Sequence, residues 1–181
     1  MEYNRFNFFH RALEDGDIDS VAYILDLYEG GIHMAIDGET PLNIAVDNNR
    51  YELVEYLLEE GANVNQGHGV EEGEDNEEEQ DEENKDPRPI HKACYPHVST
   101  QIMRLLLSYQ PGLEYRGWVD GYHPLTPLLL AIVENQPWKV KMLLESGADK
   151  EATTQDVDHP GETALELARN LGFADIVELL L

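Results

Sequence analysis

Three residues of the chain have the types and the spacing of zinc ligands. His91, Cys94 and His97 form an H-x-x-C-x-x-H pattern, and histidine and cysteine are common zinc ligands in proteins. A structural zinc site requires four ligands, however, and Cys94 is the only cysteine in the sequence. We therefore predict no metal site here and no cofactor. The single cysteine also excludes an intramolecular disulfide, which is typical of a reducing compartment.

Motifs of enzyme active sites are missing from the sequence. None of the seven histidines stands in a familiar arrangement with a serine or cysteine nucleophile. The sequence has no G-x-S-x-G turn, no glycine-rich phosphate loop with lysine and no H-E-x-x-H motif. Pairs of carboxylates are frequent, but a chain with 37 acidic residues contains such pairs by chance. We predict that the protein is not an enzyme.

The charge of the chain restricts the partners that it can bind. It has 37 acidic and 12 basic residues, and its formal net charge is -25. Such a polyanion repels phosphate, so we expect no nucleic-acid and no membrane partner, and a basic protein is the natural complement. The longest apolar run, LLLAIV at 128–133, is far shorter than the roughly 20 residues that cross a bilayer. The N-terminal residues do not resemble a signal peptide, and we expect an intracellular protein, cytoplasmic or nuclear.

Residues 67–86 form a strongly acidic segment, with eleven acidic residues, one lysine and one aliphatic residue. Such a segment cannot bury enough apolar surface to offset its ordering entropy, so the composition predicts a disordered insertion. Its central residues Glu77, Glu78 and Glu79 are candidate contacts for a basic partner. Two other interpretations stay open. The insertion could be a tolerated, solvated loop, or it could bind divalent cations loosely, although its spacing does not match an EF-hand loop.

A second unusual segment, EYRGWVDGYHPL at 114–125, is rich in aromatic residues. Tyrosine, tryptophan and arginine are enriched at the energetic centres of protein interfaces. The candidate partner-binding residues are therefore Tyr115, Arg116, Trp118 and Tyr122. The alternative is that these aromatic side chains fold back and cover the apolar surface of their own helices. For Trp138, which stands at the start of a predicted helix, we expect core or rim packing.

Five similar strings recur along the chain and must position these residues. They are NFFHRAL at 7–13, GETPLNIAV at 38–46, RPIHKAC at 88–94, LTPLLLAIV at 125–133 and GETALELA at 161–168. Each string contains one alanine that aligns with the others, and the spacings between these alanines are 33, 48, 38 and 37 residues. A period near 33 is typical of stacked helical repeats. The aligned alanines are Ala12, Ala45, Ala93, Ala131 and Ala168.

Each string carries signals for the start and the end of a helix. Five residues before each alanine lies a candidate N-cap residue, and proline follows it in three copies, where it suits the first helical position. Four residues after the alanine, four copies have glycine or asparagine, which tolerate the left-handed conformation that ends a helix. In the third copy, Pro96 predicts an earlier end. The candidate caps are Asn7, Thr40, Arg88, Thr126 and Thr163, and the helix ends are Gly16, Asn49, Asn135 and Gly172.

A second helix is predicted after each string. Its V-x-x-L-L pattern, as in Val54, Leu57 and Leu58, places three apolar residues on one helical face. Glycine-containing loops follow two of these helices, Gly61-Ala62-Asn63 and Gly147-Ala148-Asp149. The chain therefore alternates two amphipathic helices and a turn.

These strings resemble the T-P-L-H-x-A signature of the ankyrin-repeat family. The resemblance implies an all-α solenoid of stacked helix-turn-helix units with finger loops, interrupted by one long acidic loop insertion. The repeats would span about 4–33, 37–66, 86–115, 122–153 and 159–181, with the insertion at 67–86. Members of the family bind proteins through the concave face formed by the fingers and the first helices. We accordingly expect a non-enzymatic interaction scaffold whose concave face is acidic.

The last residues suggest a further contact. Leu179, Leu180 and Leu181 form an apolar edge without a polar cap, and we expect this edge to contact a partner or another copy. Two alternative functions stay open. The chain could be a structural fragment of a larger ankyrin-repeat protein whose activity lies elsewhere, or an acidic protein that binds histones or other polycations. The sequence identifies no partner, because many unrelated functions occur on this fold.

Overall fold

A computed structural model describes residues 2–28, 30–67, 86–119, 122–155 and 160–181, with backbone alone for 2–6, 119, 122–123 and 160. In this part of the chain the helices occur as consecutive pairs joined by short turns. The five pairs are α1 (Glu2–Asp15) with α2 (Ile18–Leu27), α3 (Pro41–Asp47) with α4 (Tyr51–Glu59), α5 (Pro89–Lys92) with α6 (Thr100–Ser108), α7 (Pro127–Val133) with α8 (Pro137–Glu145), and α9 (Ala164–Asn170) with α10 (Ala174–Leu180).

The helix pairs stack in two parallel rows. The first helices α1, α3, α5, α7 and α9 each contact the next first helix, and the second helices α2, α4, α6, α8 and α10 do the same. Each pair therefore buries its apolar face against its neighbours, as in a solenoid, and the core runs along the whole stack. None of the helices in the described ranges is long and apolar enough to cross a membrane.

The predicted core positions are buried. The five aligned alanines are at most 5% exposed, and Val54 and Leu57 of α4 are fully buried. Small alanine side chains let adjacent first helices approach closely, while the apolar stripe of each second helix fills the space between the rows. The prediction of repeated buried faces is confirmed for these residues.

The helix caps of the second, fourth and fifth pairs agree with the sequence prediction, whereas Arg88 stands at the cap position of the third pair without a side-chain cap hydrogen bond. Thr40 and Thr126 accept hydrogen bonds from backbone N–H groups three residues ahead, at 3.2 and 3.4 Å. Thr163 and Glu166 form the predicted reciprocal capping box. The prediction for Asn7 is wrong, because α1 begins at Glu2 and Asn7 lies inside the helix.

The turns between paired helices also follow the prediction. Gly16, Asn49, Asn135 and Gly172 have φ angles of 77, 56, 51 and 77°. This left-handed conformation is the reason for glycine or asparagine at these positions, since other side chains are strained there. The third pair lacks such a residue, and its first helix α5 ends at Lys92, before Pro96, as proline in the sequence predicts.

Two short hairpins were not predicted. β1 (Gly117–Val119) pairs with β2 (Tyr122–Leu125), and β3 (Thr153–Gln155) pairs with β4 (Pro160–Thr163), both antiparallel. They lie in two of the three connections that are longer than the 33-residue period requires, and there the additional residues fold back on themselves. The fold is otherwise helical, and the hairpins belong to the fingers.

Candidate functional site

The connections that lead from one helix pair to the next form a series of finger loops. We define them as finger 1 (30–39), finger 2 (61–67 with 86–88), finger 3 (110–125) and finger 4 (147–163), each taken over its described residues. Each finger precedes a first helix, so that the fingers and the first helices form one continuous side of the stack. This side is the finger face.

First helices anchor the following finger through one repeated position. Asn43 of α3 donates from Nδ2 to the carbonyl oxygens of Gly67 (2.5 Å) and Pro87 (3.2 Å). His91 occupies the equivalent position of α5, and its Nε2 lies 3.1 Å from the Tyr115 oxygen and 3.2 Å from the Leu125 oxygen. In both cases one buried polar side chain bonds to two segments of the same finger and holds them together. The histidine of the signature is therefore a positioning residue of the face.

The bonds of His91 define the protonation of its ring. Nδ1 accepts a hydrogen bond from the backbone N–H of Arg88 at 3.2 Å, so the proton lies on Nε2, which donates to the finger. His91 is fully buried, and this burial lowers the pKa of the imidazole from 6.5 to about 4 despite its bonds to Tyr115 and Leu125. The ring is therefore neutral near pH 7, as the hydrogen bond that Nδ1 accepts requires.

The two ends of the acidic insertion meet in finger 2, where Gly67 and Asp86 lie close together at a position that we call the neck. Gly67 and Asp86 flank the residues outside the described ranges, and a Cβ atom placed on Gly67 would lie 2.8 Å from the Asp86 carbonyl oxygen. Asn43 binds both sides of this neck through its amide. Finger 2 therefore continues from 67 to 86 as though the intervening residues were absent. Glu77, Glu78 and Glu79, and the predicted disorder of the insertion, lie outside the described residues.

Fingers 2 and 3 are joined by Arg88 and Tyr115. The guanidinium carbon of Arg88 lies 3.6 Å from the centre of the Tyr115 ring, and the ring also meets His91 edge-on at 6.0 Å. Asn65 adds a polar link, since its Oδ1 accepts from the N–H of Gly112 at 2.7 Å. The aromatic ring of Tyr115 is thus half-buried and held within the protein.

Fingers 3 and 4 are joined by Arg116 and Glu114. Arg116 donates from Nη2 to the carbonyl oxygen of Thr153 at 2.7 Å, and Glu114 accepts from the N–H of Asp149 at 2.9 Å. Fingers 1 and 2 are connected more weakly, by a 3.4 Å bond from Gln66 to the His33 oxygen. Consecutive fingers therefore support one another, which limits the ordering that binding would require.

The exposed charge of the fingers is mainly acidic. Asp37, Glu114, Asp149 and Glu151 are all exposed, whereas the arginines of the fingers are engaged in contacts within the chain, Arg88 on Tyr115 and Arg116 on Thr153. The basic Lys92 of α5 is likewise paired, with Glu39 at 2.7 Å and Asp47 at 3.9 Å. Carboxylates consequently dominate the part of this face that solvent reaches.

The aromatic candidates have different surroundings. Trp118 of β1 is 44% exposed, whereas Tyr115 is packed beneath Arg88 as described above. Tyr122 belongs to β2, and its side chain is outside the described part of the structure. Part of the segment therefore covers its own repeat, as the alternative interpretation proposed, and Trp118 keeps an accessible indole. The partner-binding role of these residues stays a prediction.

The H-x-x-C-x-x-H residues are not brought together as ligands. The ring nitrogens of His91 bind backbone groups, and the Cys94 thiol contacts the carbonyl oxygens of Ile90 and Pro127, both at 3.3 Å. Burial raises the pKa of the Cys94 thiol to about 12, which opposes the thiolate that a metal would need. His97 lies apart at the surface, beside Asp47. The described residues contain no group of three or more potential ligands.

The sequence did not indicate the role of Lys139. This side chain is only 2% exposed, and its Nζ donates to the carbonyl oxygens of Tyr95 (2.5 Å) and Val98 (2.7 Å). These bonds satisfy backbone carbonyl groups of the turn that follows the short helix α5. The sequence indicates this role only indirectly. Lys139 precedes Val140 of the apolar stripe, and the short helix α5 beside it leaves backbone carbonyl groups without hydrogen-bond donors.

Two other expectations require correction. Trp138 is 71% exposed, so the prediction of core or rim packing is wrong, because Trp138 lies off the apolar stripe of α8. At the end of the chain, Leu180 is 5% exposed and belongs to the core, whereas Leu179 and Leu181 are 37% and 78% exposed. Only the latter two can contribute to the predicted apolar edge.

Comparison with known proteins gives one result that bears on identity. A family model described as ankyrin repeats (3 copies) matches residues 2–68, which include the first two helix pairs and end just after Gly67. No curated protein matches the chain.

Proposed function

We propose that this chain is a non-enzymatic scaffold that binds a basic protein through its finger face. The proposal rests on the match of residues 2–68 to ankyrin repeats, which are generally protein–protein interaction modules. The proposal includes an intracellular location, cytoplasmic or nuclear, which the single cysteine supports. The contact residues that we assign are the exposed finger acids, with Trp118 as the aromatic anchor.

The observation that carries this proposal is the internal use of the two finger arginines, although Lys150 of finger 4 is exposed. Arg88 stacks on Tyr115, Arg116 binds the Thr153 carbonyl, and both are thereby withdrawn from a partner. The acidic side chains of the same loops remain exposed. Opposite charges across an interface accelerate association and select partners, so this arrangement favours a basic surface.

The order of the fingers supports a binding role as well. Each described finger is bonded to the next through side-chain contacts, and two are anchored from below by Asn43 and His91. A surface that is rigid before binding loses little conformational entropy when a partner docks. The scaffold is therefore suited to recognition by shape and charge together.

The proposal is tested by neutralising acids on the finger face. The variant carries Asp37→Asn, Glu114→Gln, Asp149→Asn and Glu151→Gln, which preserve side-chain size and hydrogen-bond acceptors. Partners are captured from cell extract with crosslinking and are quantified by mass spectrometry. We expect the variant to lose roughly tenfold in the amount of the principal partner, and the wild-type capture to weaken with salt.

A matched control removes the same number of charges from the second helices. It carries Asp26→Asn, Glu52→Gln, Glu59→Gln and Asp175→Asn, all at exposed positions. Capture by this control should equal that of the wild type. Equal losses in both variants would indicate a general polycation binder, such as a histone-binding protein, and unchanged capture in both would contradict the proposed face.

A further inference from the structure

Charge is distributed unevenly along the row of second helices. Helices α2, α4 and α10 contain seven acidic residues and no lysine or arginine. The two adjacent helices α6 and α8 have the opposite composition, with exposed Arg104 and Lys141 and the buried Lys139 against the single acid Glu145. The middle of this row is therefore a basic region on a chain whose net charge is -25.

A groove lies between these two basic helices. Its volume is about 480 Å³, and no residue that lines it belongs to a finger loop or to a first helix. Its most exposed apolar side chain is Trp138, of which 71% is accessible. The lining residues are Thr100 and Arg104 from α6 and Trp138, Lys141, Met142 and Glu145 from α8.

The groove is lined by both apolar and cationic side chains. The indole of Trp138 and the side chain of Met142 provide the apolar surface, and the ammonium of Lys141 lies 5.9 Å from the centre of the indole ring. Lys141 also approaches Glu145 at 3.8 Å, but both side chains are about half exposed or more, and such pairs contribute little. Arg104 is exposed and forms no ion pair with any residue in the described ranges.

We propose that this groove binds an acidic segment of a partner protein that carries an aromatic or aliphatic side chain. The apolar side chain would pack on Trp138 and Met142, and flanking carboxylates would pair with Arg104 and Lys141. We infer an acidic occupant from charge complementarity, because the groove lies in the basic part of the second-helix row. A long phosphate backbone would extend beyond the groove and be repelled by the acidic helices on both sides. A short acidic peptide remains close to the groove, and charges at physiological salt interact only over roughly 8 Å.

The inference is independent of the proposed finger face and is tested with the full chain. The probe is a fluorescein-labelled peptide, Gly-Asp-Glu-Phe-Glu-Leu-Asp-Gly. One comparison peptide replaces its acids by amides, and another replaces Phe and Leu by Ala. Binding is measured by fluorescence anisotropy. It is measured again by indole emission in a Trp118→Phe background, where Trp138 is the remaining tryptophan.

The variants separate the groove from nonspecific charge effects. Arg104→Gln with Lys141→Gln removes two cations from the groove, and Lys150→Gln with Arg169→Gln removes two exposed cations elsewhere. Trp138→Ala removes the exposed indole of the groove, at a position that the fold does not require. Circular dichroism confirms that each variant keeps its helices.

We expect saturable binding of the acidic apolar peptide, with a shift in Trp138 emission. The affinity should fall roughly fivefold or more in the Arg104/Lys141 variant, in Trp138→Ala and with either comparison peptide, and less than about twofold in the Lys150/Arg169 control. Equal binding to the groove variant and the control would overturn the inference, as would absence of saturable binding. Preferential binding of a single-stranded oligonucleotide would overturn it too, by assigning the groove to nucleic acid.

Discussion

The guanidinium carbon of Arg88 lies 3.6 Å above the centre of the Tyr115 ring, although the two residues belong to consecutive fingers. The contact keeps a cation and an aromatic ring, both typical of interfaces, inside the protein. It orders the finger face and leaves acids as most of its accessible charges.

Replacement of this ring should destabilise the stack. We expect Tyr115→Leu to lower the free energy of unfolding by about 1–2 kcal/mol, since it removes the cation–π contact and the edge contact to His91. Urea denaturation followed by circular dichroism measures the change. The control Tyr23→Leu, at a side chain 64% exposed, should cost much less, and a similar cost at both positions would show that the Arg88 contact is unimportant.

Acid should destabilise the protein through His91. The folded imidazole has a pKa of about 4, below the ordinary value of 6.5, so between these values the unfolded chain binds the additional proton. The stability contributed by neutral His91 is complete above pH 6.5 and falls as the pH drops toward 4. The total loss from this residue should be about 3 kcal/mol.

The measurement for His91 compares wild type and His91→Gln over this pH range. Glutamine can donate to the finger but does not titrate, so its free energy of unfolding should fall less steeply between pH 6.5 and 4. The variant should be less stable than wild type at pH 7, because the bond from the Arg88 N–H is poorly replaced. Parallel pH profiles for the two proteins would mean that His91 does not govern the acid response.

Excision of the acidic insertion should leave the fold intact. The neck between Gly67 and Asp86 is already closed, so residues 68–85 can be replaced by Gly-Gly. Removal of a long loop lowers the closure entropy, and we expect a chain that is equally stable or more stable by up to about 2 kcal/mol. Thermal unfolding provides the comparison, and loss of cooperative unfolding in the excised chain would show that the insertion is part of the core.

Lys139 should be essential for the third helix pair. Lys139→Met keeps most of the apolar stem but leaves the carbonyl oxygens of Tyr95 and Val98 without their donor. We expect a loss of about 2–3 kcal/mol in the free energy of unfolding. Lys141→Met, on the same helix with a side chain 49% exposed, is the matched control and should change stability by less than about 0.5 kcal/mol.

The helical repeats could be predicted because their signals are local. Thr163 with Glu166 specifies a helix start within four residues, and Asn49 specifies a helix end at a single position. Copies of these signals at matching offsets support one another. The misassigned cap at Asn7 belongs to the weakest copy, where no proline or threonine marks the start and the helix extends to Glu2.

Features that depend on contacts distant in sequence could not be predicted. Lys139 is buried because a neighbouring helix is short, and Arg116 is engaged because finger 4 presents the Thr153 carbonyl beside it. Residue type alone suggested an interface arginine, and nothing in the sequence singled out the lysine. The exposure of Trp138 could have been inferred from its position off the apolar stripe, since it precedes Val140 by two residues.

Hydrogen–deuterium exchange on the chain with and without its captured partner tests the central claim most directly. Partner binding should slow exchange in fingers 1, 3 and 4 and at the starts of the first helices, and should leave α2, α4 and α10 unchanged. The four-acid finger variant should lose this protection. Protection confined to the second helices, or identical protection in the variant, would contradict the assignment of the finger face as the binding surface.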